Sequence, residues 1–504
     1  MKHLKDPLRI IITSSLALLF ATQAVAAPQE VEDLFAPGVP VGESGFDSEW
    51  FGLIEESALP WILHEHLGWI YMDSGDWIHQ AELGWTWIST DSPGYLFRHD
   101  TQGWQLTDSS AADGWYYDYI MRDYWNVEVI PTPFTVLVCE RLWQADEKLR
   151  TVIPTVPSVI EYPINTVAGG DWTNRNSSAW TSGFWPGILW HLYDFTGDPY
   201  WETQARAWNA GMESQKNNTG THDVGFMMYC SFGQGYRLTG DSDFRDILVK
   251  SAESLNSRYS ATVGGIRSWS WGKWDDGNNF TIIADNMMNL ELEFWASRQP
   301  GGEQSWADNA LQHAKTTYRE HVREDGGSYH CIIFHQNTGA VLERTTHQGY
   351  GDETTWGRGQ AWLVHGFTTT YRETGDPTIL EAAQRTADFV LENIPDTYVN
   401  IWDYDVPFPQ TQPRDSSATS IAASGIIELA MLSSDPANKE KYWNGAVKML
   451  EALLTDDYFN DDTQALIDHG TYNKPAGNYD SGLVWGDYYL MEAMLRYLVA
   501  VGQH

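Results

Sequence analysis

The stretch YDFTGDPYWETQA, residues 193–205, ends one apolar segment and begins another through a Thr-Gly-Asp turn. The same pattern returns in YRLTGDSDFRDIL, residues 236–248, and in YRETGDPTILEAA, residues 371–383. A degenerate copy, LSSDPANKEKYW, occupies residues 432–443. Glycine is favoured just past the end of a helix, and aspartate just before the start of one. Each copy therefore predicts a helix, a tight turn and a second helix.

The spacing of these copies predicts an all-α domain over residues 166–504. The first two copies begin 43 residues apart, and the third begins 135 residues after the second, which leaves room for further units of similar size. About six helical hairpins then fit the region, as an open solenoid or as a closed toroid of paired helices. The many Gly- and Trp-rich loops between the helices favour the toroid, with a site at one mouth.

A different repeat precedes this domain, within residues 45–124. WILHEHLGWIY begins at Trp61 and WIHQAELGWTW begins at Trp77, 16 residues later, with a looser copy from Tyr95. Short aromatic runs separated by Gly and Asp are typical of β-hairpins, so we predict a small Trp-rich β-repeat module. It is either a structural spacer or a module that binds glycans or cell surfaces. Residues 27–44 are predicted to be a flexible leader, and the Pro- and Val-rich residues 125–165 a connector.

Residues 1–26 have the pattern of a signal peptide. Lys2, Lys5 and Arg9 precede the apolar run IIITSSLALLF, and Ala-Val-Ala at 24–26 provides small residues for cleavage. No later run approaches the ~18 apolar residues of a membrane span. We therefore expect export to the periplasm or the medium, without a membrane span.

The composition excludes several classes of function. The 504-residue chain has a net charge of −37, which opposes binding to nucleic acids or anionic membranes. Three cysteines allow at most one disulfide, and their spacing matches no metal site, so no metal or cofactor is predicted. The 26 tryptophans suit a sugar-binding protein, although tryptophan also fills ordinary cores.

One carboxylate lies in an otherwise apolar run, IIADNMMNL, residues 282–290. Burying the Asp285 carboxyl costs several kcal/mol unless it is paired, hydrogen-bonded or protonated. Burial would raise its pKa, as a general acid near neutral pH requires. Asp285 is thus either a structural hydrogen-bonding residue or a catalytic acid.

Further motifs carry a family resemblance. THDVGF (221–226), DNMMNL (285–290), GGSYH (326–330), THQGY…TTWGRGQAW (346–362) and WGDYYLMEA (485–493) follow one another in this order. With them, residues 165–500 resemble the unsaturated glucuronyl hydrolase family of glycoside hydrolases. The resemblance implies an (α/α)6 barrel that acts on oligosaccharides left by polysaccharide lyases. Such enzymes protonate C4 of a 4,5-unsaturated uronic acid and add water at C5, and the product collapses to release the neighbouring sugar.

The resemblance also implies site residues. Asp285 matches the general acid/base and Asp223 the second catalytic aspartate. Arg358, flanked by glycines, suits the substrate's carboxylate. The matched positions for substrate binding are Trp180, His222, His330, Thr346, Gln348, Trp356, Arg358, Trp362 and Tyr472. Trp269, Trp271 and Trp274 are further candidates for a wall of the site.

Three alternatives stay open from the sequence alone. An unsaturated rhamnogalacturonyl hydrolase shares the barrel and chemistry, although THDVGF together with THQGY argues against it. A polysaccharide lyase on a helical toroid and a non-catalytic glycan-binding protein are rivals from other classes. Neither of these two accounts for the settings of Asp223 and Asp285. The polysaccharide of origin, such as ulvan, chondroitin or heparin, and its sulfation are not specified.

Overall fold

The computed structural model describes residues 132–167 and 169–503, together with the backbone of eleven strands between residues 39 and 126. Each of these strands pairs antiparallel with the next, so they form a meander. They are β1 Val39–Pro40, β2 Gly45–Ser48, β3 Gly52–Ala58, β4 Trp61–His64, β5 Gly68–Met72, β6 Trp77–Gln80, β7 Gly84–Ile88, β8 Tyr95–Arg98, β9 Gly103–Thr107, β10 Trp115–Asp118 and β11 Asp123–Asn126.

The strands follow the sequence repeat. The hairpin β4–β5 recurs as β6–β7 after the 16-residue offset, and β8–β9 falls on the looser third copy. Strand β1 lies inside the range predicted as a flexible leader. The predicted signal peptide lies outside the described residues.

The second compact unit of the chain is built mainly from α-helices. In chain order they are α1 Pro133–Val152, α2 Phe184–Thr196, α3 Pro199–Met212, α4 Val224–Met228, α5 Gln234–Thr239, α6 Ser242–Asn256, α7 Leu290–Ser297, α8 Gln304–His321, α9 Gly357–Thr374, α10 Pro377–Asn393, α11 Ser416–Leu432, α12 Pro436–Leu453 and α13 Val484–Ala500.

These helices form two concentric rings. The inner ring runs through α2, α4–α5, α7, α9, α11 and α13, and it closes because α13 packs against α2. Inner helices such as α11 are buried around most of their circumference, whereas outer helices such as α10 bury one stripe. That contrast is expected for a closed double layer, in which only the outer ring faces water. The predicted (α/α)6 barrel is confirmed.

The Thr-Gly-Asp turns connect inner helices to outer ones, as predicted. Gly197, Gly240 and Gly375 have φ values of 62°, 66° and 64°, the left-handed conformation that glycine adopts without strain. Each following aspartate caps the next helix; Asp198 Oδ1, for example, accepts from Tyr200 N at 2.9 Å. The turns are short and lie at the C-terminal ends of the inner helices. The opposite mouth of the barrel therefore receives the long loops.

The helical unit begins before residue 166, because α1 occupies much of the segment predicted as a connector. Its residues Val138, Leu142, Ala145 and Leu149 are buried at helical spacing. Arg141 donates to the carbonyl of Leu454 at 2.9 Å, more than three hundred residues further along the chain. This helix is the sixth member of the outer ring, and it closes that ring between the last and the first hairpins.

Short strands decorate the barrel. They are β12 Tyr162–Thr166, β13 Trp172–Arg175, β14 Tyr259–Ser260, β15 Gly265–Ile266, β16 Asn279–Ile283, β17 Cys331–His335 and β18 Val341–Thr345. The sheet β16–β17–β18 is antiparallel, and β16 leads directly into Asp285. None of the helices within residues 132–503 is both long and apolar enough to cross a membrane.

Candidate active site

Seven of the eleven predicted site residues meet at the mouth formed by the N-terminal ends of the inner helices. A cavity of about 280 Å³ opens there. Its lining is Trp180, His222, Asp223, Trp269, Trp271, Ile283, Asp285, His347, Gln348, Arg358, Tyr472, Asn473 and Asn478. A cavity of this size and mixed aromatic and polar lining suits a small polar ligand.

Asp285 lies in the 3₁₀ turn Ala284–Asn289, between β16 and α7. Its side chain is 13% exposed, and Ile283 and Met287 are buried beside it. Asp285 Oδ2 lies 3.6 Å from His330 Nε2, which is longer than a good hydrogen bond. A small movement of either group would bring them into hydrogen-bond contact.

His330 is held from behind in one orientation. Its Nδ1 lies 3.2 Å from the Thr346 hydroxyl and 3.4 Å from the backbone N of His347. Because the His347 N–H can only donate, Nδ1 acts as an acceptor and the proton belongs on Nε2, facing Asp285. The ring stacks on Trp356 at 4.2 Å between centroids. Thr346 and Trp356 therefore support His330 and do not line the cavity.

The pKa of Asp285 differs from expectation. Burial alone would raise it, as the sequence suggested, but His330, His222 and Arg358 favour the charged carboxylate and lower the pKa below its ordinary value. The expectation of a raised pKa is therefore wrong for the unliganded site. The three compensating groups come from distant parts of the chain, so the apolar run around Asp285 gave no sign of them.

Asp223 occupies the position just before α4, but its side chain makes no capping bond to that helix. Its Oδ2 accepts from the Thr221 hydroxyl at 2.5 Å, and its Oδ1 lies 3.3 Å from His222 Nε2. Burial lowers the pKa of His222, which keeps that ring neutral at neutral pH. Asn289 Oδ1 accepts from Phe226 N at 2.8 Å and so ties the segment with Asp223 to the one with Asp285. The two carboxylates are thus fixed in one cavity.

Arg358, at the start of α9, is 1% exposed and lies between the rings of Trp356 and Trp485. Its Nη1 donates to Asp415 Oδ2 at 3.0 Å and also to the carbonyl of Thr471, and its Nη2 donates to the carbonyl of Tyr472 at 2.6 Å. The guanidinium borders the cavity, but these partners already engage both Nη groups. Among the described lining residues it is the one arginine or lysine, so it brings the positive charge to the cavity.

Seven predicted residues line the cavity and four do not. The lining residues are Trp180, His222, Asp223, Asp285, Gln348, Arg358 and Tyr472. His330, Thr346 and Trp356 form the layer behind, as described above. Trp362 is fully buried in the barrel core, against Phe226 and Tyr489, because its position on α9 faces the axis below the cavity.

The sequence alone did not identify several lining residues. Of the three tryptophan candidates, Trp269 and Trp271 line the cavity, whereas Trp274 is 2% exposed and packs beneath them. His347 stands inside the THQGY motif beside Gln348, so the motif could have indicated it. Asn473 and Asn478 lie in a loop whose sequence carries no comparable signal.

Comparison with known proteins agrees with this geometry. The profile of Glycosyl Hydrolase Family 88 matches residues 159–502. An unsaturated glucuronyl hydrolase of Formosa agariphila is 40% identical over 329 residues, which cover 64% of this chain and 80% of that protein. An unsaturated chondroitin disaccharide hydrolase of Streptococcus pyogenes is 30% identical over 344 residues, covering 67% and 86%.

A solved structure gives the same result. The crystal structure of an unsaturated glucuronyl hydrolase specific for heparin superposes with a TM-score of 0.68 at 33% identity, covering 73% of this chain and 97% of that one. The family match over residues 159–502 includes every described residue that lines the cavity. The chain therefore belongs to Glycosyl Hydrolase Family 88, the unsaturated glucuronyl hydrolase family.

Proposed function

We propose that the protein removes the 4,5-unsaturated uronic acid from the non-reducing end of oligosaccharides released by polysaccharide lyases. The observation that carries this proposal is the setting of Asp285, a nearly buried carboxyl facing His330 and sharing a small cavity with Asp223. Such a cavity holds one sugar residue with its reacting carbons beside a carboxyl group. A lyase in an open groove or a simple sugar-binding protein would not require that arrangement.

In the proposed reaction, Asp285 gives its proton to C4 of the C4=C5 double bond. Positive charge develops at C5, where the ring oxygen stabilises it, and a water molecule adds there while the Asp285 carboxylate takes up the water's proton. The resulting hemiketal opens to a ketone at C5, and the bond to the neighbouring sugar breaks. One water is consumed, and the enzyme returns to its starting protonation state.

The other residues bind and orient the sugar. Asp223, fixed by Thr221, accepts hydrogen bonds from ring hydroxyls, and Trp180 offers an aromatic face to the ring. Arg358 supplies a positive field for the substrate's carboxylate. The Gln348 side-chain amide donates one N–H to the carbonyl of Tyr472 and has a second N–H for the sugar. Because Arg358 is already engaged, its role is more electrostatic than the sequence suggested.

Entry of the substrate causes Asp285 to take up from the solvent the proton that the free site lacks. The uronate places a second carboxylate near Asp285 and displaces water from the cavity, and both changes raise the pKa of Asp285. The carboxyl then binds a proton as the complex forms. The low pKa of Asp285 in the free site is therefore compatible with its role as the acid that protonates C4.

The decisive assay follows the ultraviolet absorbance of the conjugated double bond in unsaturated disaccharides. Hydrolysis predicts a loss of absorbance, whereas a lyase acting on polymer would increase it and a binding protein would leave it unchanged. Asp285→Asn should lower kcat by at least about a hundredfold, the usual scale for loss of a general acid. Near-normal activity of this variant would disprove the assignment.

We further propose a polysaccharide of marine type as the source of the substrate, sulfated or not, because a surface as acidic as this one suits high salt. A panel of unsaturated ulvan, chondroitin, heparin and rhamnogalacturonan disaccharides tests the choice.

Export to the periplasm or medium is proposed from residues 1–26 and is tested by fractionation of cells. Glycan binding by the Trp-rich module is tested by pull-down on insoluble polysaccharides.

A further inference from the structure

One wall of the cavity is a loop, residues 469–481, between α12 and α13. Tyr472, Asn473 and Asn478 from this loop line the cavity. Gly470 and Ser481 bond to each other at its base, and Asn473 N donates to the carbonyl of Asn478 at 2.8 Å nearer its tip. Further bonds within the loop, such as that between His469 Nδ1 and Asp480 Oδ1 at 2.6 Å, shape the loop without tying it to the barrel. The distance of the loop from Asp285 therefore depends on its contacts with the barrel.

The buried pair Arg358–Asp415 holds it, together with a bond from the Thr471 hydroxyl to the carbonyl of Arg414 at 2.7 Å. The guanidinium donates to the main-chain carbonyls of Thr471 and Tyr472, as described above. Asp415 Oδ1 accepts in turn from the backbone N of Thr471 at 3.3 Å. The starts of α9 and α11 thus hold three successive peptide groups between Gly470 and Asn473. The bond from Gln348 Nε2 to the carbonyl of Tyr472, at 3.2 Å, adds a further contact.

Asp415 is essential to that arrangement because it fixes Arg358. The two side chains are 0% and 1% exposed, and their Nη1–Oδ2 distance is 3.0 Å. The other bonds of Asp415, to Ser417 Oγ at 2.5 Å and Ala418 N at 3.3 Å, fix its carboxylate at the start of α11. Without the carboxylate, Arg358 would be a buried cation that has lost its ion-pair partner, which is strongly unfavourable.

We propose that Asp415 is a positioning residue: through Arg358 it fixes residues 471–478 as a wall of the active-site cavity. It does not touch the reacting atoms. Its effect is on how closely the wall contacts the bound sugar. This inference rests on the proposed function only for its kinetic consequence, because the position of the loop can be measured without substrate.

The test compares Asp415→Asn with Asp146→Asn in the full chain. The asparagine at 415 keeps an acceptor but removes the charge that holds Arg358. Asp146 is an equally suitable buried aspartate, bonded to Arg150 and to Trp201 Nε1 at 2.6 Å, but it lies on α1 and does not line the cavity. Both variants are expected to lower the melting temperature.

Only Asp415→Asn should speed hydrogen exchange at the amides of residues 470–478. With an unsaturated disaccharide, it should raise KM by about tenfold or more while kcat changes less, since the wall contacts the sugar equally in the ground state and the transition state. If Asp415→Asn does not fold, the double variant Arg358→Gln/Asp415→Asn replaces the ion pair with neutral groups. It should fold better than the single variant and still show fast exchange in the loop.

Unchanged exchange in residues 470–478 of the folded variants would overturn the proposal, as would an unchanged KM beside a comparable loss of melting temperature. If the protein turns over no unsaturated disaccharide at all, the proposed function fails instead. The exchange measurement then still decides the role of Asp415.

Discussion

At the scale of single residues, the burial of Asp285 could be predicted from its neighbours in the sequence, whereas its charge state could not. Its apolar neighbours correctly indicated a nearly buried carboxyl, but the groups that set its pKa are His330, His222 and Arg358. Those residues are distant in the chain and come together only in the barrel. Local sequence therefore predicts the burial of an ionisable group better than its charge state.

This charge state makes a calorimetric prediction. Binding of a saturated glucuronate disaccharide, which has no double bond to react, should be accompanied by net proton uptake at pH 7, of at most one proton per ligand, because the ligand's carboxylate raises the pKa of Asp285. Titration calorimetry in two buffers of different ionisation enthalpy measures that uptake. Asp285→Asn should bind the same ligand without it. Equal proton uptake by Asp285→Asn would show that a group other than Asp285 binds the proton.

At the scale of elements, the turns were predictable and one helix was not recognised. Thr-Gly-Asp acts locally, because glycine adopts the left-handed conformation and aspartate caps the next helix. The turn can therefore be predicted without knowledge of its tertiary contacts. Helix α1 was hidden by the prolines and valines around it, although Val138, Leu142, Ala145 and Leu149 have helical spacing. Its assignment to the barrel depends on partners at the far end of the chain, which no local pattern reveals.

Helix α8 makes a second prediction at this scale. His313 accepts from Ile266 N at 2.9 Å, and His321 Nε2 lies 3.2 Å from the carbonyl of Ile282, so both support the strands that lead to Asp285. Burial lowers the pKa of each ring to about 3. The unfolded chain binds protons near the ordinary value, so this stability is complete above about pH 6.5 and is lost as the pH falls.

Urea unfolding at a series of pH values checks this. His321→Gln keeps a donor for Ile282 but cannot bind a proton. Between about pH 4 and 6, the free energy of unfolding of this variant should fall less steeply than that of the parent, by about 1.4 kcal/mol per pH unit. Parallel curves for the two proteins would show that His321 is charged in the folded state.

At the scale of the whole molecule, the net charge of −37 sets the response to salt. Raising NaCl from about 0.1 M to 1 M shortens the Debye length from about 10 Å to 3 Å and weakens the repulsion among surface carboxylates. The melting temperature should rise over this range. The rise should largely disappear near the pI of about 4.5, where the net charge is small. A fall at neutral pH would contradict the prediction.

The closure of the outer ring by α1 has a consequence for biosynthesis. Arg141 and Lys148 on this helix bond to Leu454 and Asn460, and Thr166 bonds to Gly482. Residues 141–166 can therefore complete their contacts only when residues 454–482 are present. Contacts of such long sequence separation form slowly, because the intervening chain must first be ordered. A ribosome must deliver nearly the whole chain before the ring can close. Until then the nascent barrel remains open, a state compatible with passage through a translocation pore.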